Sequence, residues 1–191
     1  MRGCVYDPEL RSVSDTVEDQ FGFAEIQVVS FADLYAGKIV AALDRQHPRD
    51  LFDVRDLLAN EGIDDSLRRA FIVYMPSHDR PKSEVLAPTR KDFSDEFLRG
   101  FEGMTETPVS REELAPALEA LIADIVGKMP QEHRKFLVSF ERGKPDWSAL
   151  GIPAAPNLPA VKWRQQNLDK LAPERRAALV TRLAEVLGIA P

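Results

Sequence analysis

The chain has 191 residues, 44% of them hydrophobic, enough to bury a sizeable core in one or two domains. Its formal net charge of -6 argues against broad nucleic-acid binding through a basic surface, and DNA is not an expected partner, although a local basic pocket would survive such an average. Cys4 is the only cysteine, which excludes an intramolecular disulfide and a cysteine-based zinc site. No apolar run is long enough to span a membrane and no signal-peptide pattern opens the chain, so a cytoplasmic protein without membrane association is the default expectation.

The opening 30 residues carry the fewest signals. Alternation of Ile26 and Val28 with Glu25 and Gln27 predicts a short strand over Ala24 to Val29, and Val5 and Tyr6 are expected to begin another. Two short strands make a marginal sheet, so residues 1–30 read as the remnant or edge of a larger one. Nothing in the spacing of Asp7, Asp15 and Asp19 separates a metal ligand from a solvated loop, and they receive no role.

The stretch Phe31 to Leu58 reads as two helices joined at His47-Pro48. Ser30 can cap the first, with Asp33 three residues on. At about 100° per residue, Phe31, Leu34, Tyr35 and Ala42 fall within one arc, extended by Ile39, Ala32 and Leu43, while Asp33, Gly37 and Asp44 form the wet side. Lys38 and Arg45 fall inside the apolar arc and need partners. The second helix offers them, because Pro48 suits a first turn and Asp50 and Asp53 share a face. Arg49 is placed to pair with Asp53 at i,i+4. The result is a mixed charge cluster, readable either as a buried ion-pair network or as a site for phosphate and metal.

Further helices follow. Asp64 to Pro76 has an apolar stripe of Leu67, Ala70, Phe71 and Tyr74, with Arg68 and Arg69 expected on a solvated face. Ser77 to Pro81 is a turn, whose adjacent His78 and Asp79 lack an evident nucleophile to activate and receive no acid–base role. Glu84 to Asp92 reads as a connection. Phe93, Phe97 and Phe101, four apart, make a core stripe rather than a platform for bases. Ser110 and Glu113 form a capping box for a long helix bearing Leu114, Leu118, Leu121, Ile122 and Ile125, with Pro116 expected to shift its start later. Pro130 to Glu141 points Phe136, Leu137 and Phe140 inward and His133 to its polar side. Gly143 to Pro159 is an ordered loop by its Trp147, Leu150, Ile152 and Leu158. Helices over Val161 to Leu171 and Pro173 to Leu187 close the chain, the last with Leu179, Leu183, Val186 and Leu187 inward. The predicted class is mainly α: a multi-helix bundle over 31–191 behind a small N-terminal β segment.

The pattern Leu34, Lys38, Arg45, Arg49, Asp50, Asp53 and Leu57, set in LYAGKIVAALDRQHPRDLFDVRDLL, resembles the nucleotidyltransferase-like AbiEii/AbiGii toxin family, the toxin side of type IV toxin–antitoxin and abortive-infection systems. The resemblance continues through SLRRAFIVYMPSHDRP, RKDFSDEFLRGFEGM and ERGKPDWSALGIPAAPNLPAVKWRQQNLDKL, covering most of the chain. It implies a polymerase-β-type enzyme whose N-terminal sheet carries a Gly-Ser turn and an Asp-x-Asp pair. Neither motif occurs in this sequence, which is expected to begin after that module. The resemblance further implies transfer of nucleotides from a nucleoside triphosphate to an acceptor such as a tRNA end, and a cognate antitoxin as partner. Lys38, Asp50 and Asp53 would be the catalytic group, with Lys38, Arg45 and Arg49 on phosphate. No metal ligand is assigned, and Mg²⁺ is expected only where the other module is supplied. Two expectations stand: the later part of a transferase toxin, active when completed, or a catalytically inactive helical module that binds an antitoxin or another protein.

Overall fold

The computed structural model describes residues 3–77 and 80–190; His78 and Asp79, the adjacent pair of the polar turn, lie outside the described residues. Among the described residues, a two-stranded antiparallel sheet and ten α-helices follow one another as β1 (Glu9–Ser12), α1 (Asp15–Phe21), β2 (Glu25–Val28), α2 (Phe31–Arg45), α3 (Pro48–Asn60), α4 (Asp65–Tyr74), α5 (Lys82–Leu86), α6 (Ser94–Gly100), α7 (Arg111–Ile122), α8 (Gln131–Glu141), α9 (Pro159–Asp169) and α10 (Pro173–Leu187). The mainly helical class with a small N-terminal sheet is therefore what the chain adopts.

The strand predicted over 24–29 forms as β2, but its partner is β1, with Glu9 opposite Val28 and Ser12 opposite Glu25. Val5 and Tyr6 do not begin a strand. Their amides donate instead to the two carboxylate oxygens of Asp33, at 2.7 and 3.0 Å, and the Ser30 hydroxyl, which caps α2, adds a third bond at 2.8 Å. Asp33 is therefore buried, the reverse of the wet position its helical rotation suggests. A carboxylate saturated by N–H and O–H donors tolerates burial that an unpaired one would not. Between these anchors, β1, α1 and β2 contain no buried residue, and Leu10, Phe21, Phe23 and Ile26 stand exposed.

The core begins at α2, which packs against α4 and α3 through Ala36, Ile39, Val40 and Leu43. Phe31 and Leu34 lie on the other side and remain 39% and 46% exposed. The apolar arc read from rotation alone is thus centred too far round: small and branched residues face α4, while Phe31 and Leu34 stay partly open, Phe31 with its ring centroid 4.5 Å from that of Tyr35. Lys38 and Arg45 consequently sit on the open side of α2. Gly62, at φ +74°, ends α3 by donating to the Leu57 carbonyl at 2.8 Å, a conformation glycine adopts without steric cost.

Other departures share one cause, a partner distant in sequence. Arg68 is buried, because a π-helical turn at 123–127 after α7 leaves carbonyls that its guanidinium satisfies: Ile125 at 2.9 Å and Asp124 at 3.1 Å, with the Asp124 carboxylate at 3.0 Å. Arg69 is no simple solvated cation either, donating to Asp65 and to the Leu150 carbonyl. His133 is buried against the same region rather than polar-facing. Part of the predicted connection folds as α5. Pro116 does not delay α7, which starts at Arg111 under the Ser110–Glu113 capping box; the carbonyl deprived of a donor belongs to exposed Glu112. The loop before α9 is ordered as predicted, Trp147 packing on Phe136 and Phe140 with ring centroids 5.0 and 6.0 Å apart. In α10 the buried residues are Val180, Leu183, Ala184 and Leu187, with Leu179 and Val186 half-buried.

Candidate functional site

The turn between α2 and α3 is two residues long. Gln46 takes the left-handed conformation at φ 55°, unusual for a residue with a side chain. Its amide explains the fixation: Nε2 donates to the Thr89 carbonyl at 2.8 Å and Oε1 accepts from the Lys91 amide at 2.9 Å, which tie the turn to the loop before α6. His47 caps α3 by accepting the Arg49 amide on Nδ1, and Pro48 occupies the first helical position.

This geometry folds the charged residues of the two helices together, as two separate pairs. Arg45 grips Asp50 with a fork, Nε to Oδ2 at 3.1 Å and Nη2 to Oδ1 at 2.8 Å. The Asp50 carboxylate is almost covered while the Arg45 side chain is 63% exposed. Lys38 meets Asp53 at 2.8 Å, with about a third of each side chain open to solvent at 31% and 34%, and the ammonium lies over the Tyr35 ring, 5.2 Å from its centroid. Arg49 does not pair with Asp53. Its guanidinium crosses to the Gly100 carbonyl, at 3.1 and 3.3 Å, and to the Met104 sulfur at 3.3 Å, because the C-terminal end of α6 presents an acceptor there and Lys38 already holds Asp53.

Beside the turn lies a cavity of about 370 Å³ lined by Arg45, His47, Arg49, Asp50, Lys91 and Phe93, together with exposed Asp92 and Glu96. Three of the predicted site residues, Arg45, Arg49 and Asp50, face this space; Lys38 and Asp53 do not. Lys91 and Gln46 were not legible as site residues, since a lone lysine in a polar loop has no spacing to mark it. His47 carried a weak signal as the residue before an N-terminal helical proline.

Among the described residues no group of three or more His, Cys, Asp and Glu is placed to hold a metal ion. Asp50 and Asp53 are each engaged by a cation, so these side chains do not fit a Mg²⁺ site as they stand.

A second charge cluster, unseen in the sequence, is closed. Lys82 on α5 is fully enclosed, bonded to Glu141 on α8, with Arg164 on α9 3.6 Å from the same carboxylate. Burial pushes the Lys82 ammonium down to about 8, against the pull of Glu141.

The sequence profile described as nucleotidyl transferase AbiEii toxin, type IV TA system, matches residues 1–167, which span everything from the sheet to within α9 and contain the hairpin and its cavity. No curated protein and no solved structure matches the chain. With a profile match over most of its length, including the hairpin that carries Lys38, Arg45, Asp50 and Asp53, the chain belongs to the nucleotidyl transferase AbiEii toxin family of type IV toxin–antitoxin systems.

Proposed function

We propose that this chain carries the phosphate-holding half of a nucleotidyl transferase toxin, acting on a nucleoside triphosphate and an RNA acceptor such as a tRNA end. The supporting observation is the Lys38–Asp53 pair: a solvent-reachable ammonium, fixed in direction by a carboxylate, on a hairpin that lies within the family match. In nucleotidyl transfer an acceptor hydroxyl attacks the α-phosphorus and pyrophosphate leaves, and the protein contributes mainly position and neutralising charge. Lys38 would hold the triphosphate; Arg45 and Arg49, which line the neighbouring cavity, are phosphate cations outside that position, Asp53 orients Lys38, and Asp50 orients Arg45. Whichever of the two aspartates is released when its cation turns to phosphate becomes available as a base. Mg²⁺ is the metal the family implies, and the described side chains do not fit it. In this reading residues 1–30 are the edge of the transferase sheet, and the Gly-Ser and Asp-x-Asp functions are supplied from outside this sequence.

One observation favours a second reading, that of an inactive module held by an antitoxin or other protein: Phe21, Phe23, Phe31 and Leu34 expose apolar surface of the kind protein partners cover. Calorimetric titration with ATP, CTP, GTP and UTP in Mg²⁺ separates the two. Saturable binding that disappears in Lys38→Ala supports the transferase reading. Absence of binding to all four nucleotides, with the protein folded, sinks it and favours the partner-binding module.

A further inference from the structure

We propose that the cavity at the α2–α3 turn is a pocket for one nucleotide unit, its phosphate held by Arg49 and Lys91, separate from the triphosphate position at Lys38. The inference rests on the transferase reading above and deepens it by assigning the second phosphate-bearing participant a place.

Charge accounting inside the cavity identifies the two residues. Arg45 is neutralised by its fork on Asp50. Asp92 is engaged by the amide and hydroxyl of Ser94, at 3.0 and 2.5 Å, and lies 3.5 Å from Arg111. Arg49 and Lys91, by contrast, have only uncharged partners: Arg49 the Gly100 carbonyl and the Met104 sulfur, Lys91 the Asp44 carbonyl at 2.8 Å. Against these two cations the cavity sets one carboxylate without a cation among the described residues, Glu96, so one positive charge is left over, which suits an anionic ligand, and a planar guanidinium beside an ammonium suits phosphate oxygens. Glu96, exposed on the same wall, is placed to accept from a base amine or a ribose hydroxyl, while the Phe93 ring backs the space. A cavity of about 370 Å³ lies within the usual size of ligand pockets, roughly 300–1,000 Å³. It is also preformed, since Gln46 fixes the Lys91 loop to the turn.

Position separates this pocket from the first. Lys38 lies two turns before Arg45, about 10 Å along the helix at 1.5 Å per residue, and neither Lys38 nor Asp53 lines the cavity. A phosphate on Lys38 therefore leaves Arg49 and Lys91 unused. The net charge of -6 fits a local contact with a single unit rather than an extended polyanion track. The ligand chemistry, a ribonucleotide phosphate, could arrive as a free nucleotide or as the end of a strand.

The test uses the full chain with Arg49→Ala, Lys91→Ala, Lys91→Glu and Lys38→Ala, each checked for folding by circular dichroism. Two probes are titrated: the four nucleoside 5′-monophosphates by calorimetry, and a 5′-fluorescein-labelled eight-nucleotide single-stranded RNA by anisotropy. Either probe should bind, and each cavity alanine variant should weaken it about tenfold, Lys91→Glu more, with triphosphate binding changed less than twofold. Tighter RNA binding, whose salt slope falls by about 0.7 per lost contact, would identify a strand end; binding of monophosphates alone would identify a free nucleotide. The proposal is overturned if neither probe binds, if binding ignores all three cavity variants, or if those variants weaken triphosphate as much as Lys38→Ala does. Failure of the transferase reading shows separately, as absent triphosphate binding or binding indifferent to Lys38→Ala.

Discussion

Two of the clusters of opposite charges, one at the hairpin and one around Lys82, obey different rules. At the hairpin, Arg45–Asp50 and Lys38–Asp53 each keep one or both partners in contact with water, and at Lys38–Asp53, where both are partly open, an arriving anion can displace the carboxylate at little cost. Between α5, α8 and α9, Lys82, Glu141 and Arg164 are sealed from solvent, and no partner can leave without stranding a charge.

The largest expected effect tests the closed cluster. Glu141→Ala leaves Lys82 and Arg164 without their shared anion and should cost about 3–5 kcal/mol in urea unfolding; a loss below about 1 kcal/mol would show that the cluster is not sealed. Asp33→Ala removes the acceptor for the Val5 and Tyr6 amides and for the Ser30 hydroxyl, and about 1–3 kcal/mol should disappear. Its buried carboxylate is held by N–H and O–H donors rather than by a cation, so the effect should change little with salt.

Lys82 also makes stability depend on pH. Its folded-state value, about 8, lies below the ordinary 10.5, so between these values the unfolded chain binds more protons and stability rises with pH. Below about pH 8 the cost of the buried ammonium is fully present. The stability difference between wild type and Lys82→Met should therefore vary across the window from about 8 to 10.5, and a flat difference there would contradict the burial. The smallest effect belongs to the open pairs: Lys38→Ala should shift stability by only about 0–1 kcal/mol, whatever it does to nucleotide binding. A loss comparable to that of Glu141→Ala would erase the contrast between the two clusters.

How much of this was legible depended on the distance between partners. Ser30 and Asp33, Ser110 and Glu113, and His47-Pro48 act within one turn, and each sets a helix end where its spacing predicts. The gathering of Lys38 and Arg45 with Asp50 and Asp53 was readable because a short turn brings α2 and α3 together, but which cation takes which carboxylate was not, and the expected Arg49–Asp53 pair gives way to the Gly100 carbonyl. Arg68 with Asp124 and Lys82 with Glu141 are more than 50 positions apart, and nothing in either neighbourhood announces the other. The same limit misplaced Asp33, whose donors arrive from Val5 and Tyr6, and His133, whose burial depends on α4. The cavity stayed hidden for the same reason, since Lys91 reaches it only through the grip of Gln46.

The Asp33 clasp has a further consequence. By drawing Tyr6 and Ser30 to one carboxylate, it closes residues 7–29 into a loop whose two ends meet at the start of α2. Because closure entropy changes by only about 0.6 kcal/mol per doubling of length, such a loop can be lengthened or shortened with little thermodynamic effect on the helices behind it. Evolution and protein engineering are thus given a splice point, where foreign sequence could be inserted, or the whole excursion replaced by a short linker, while the helical body keeps its packing.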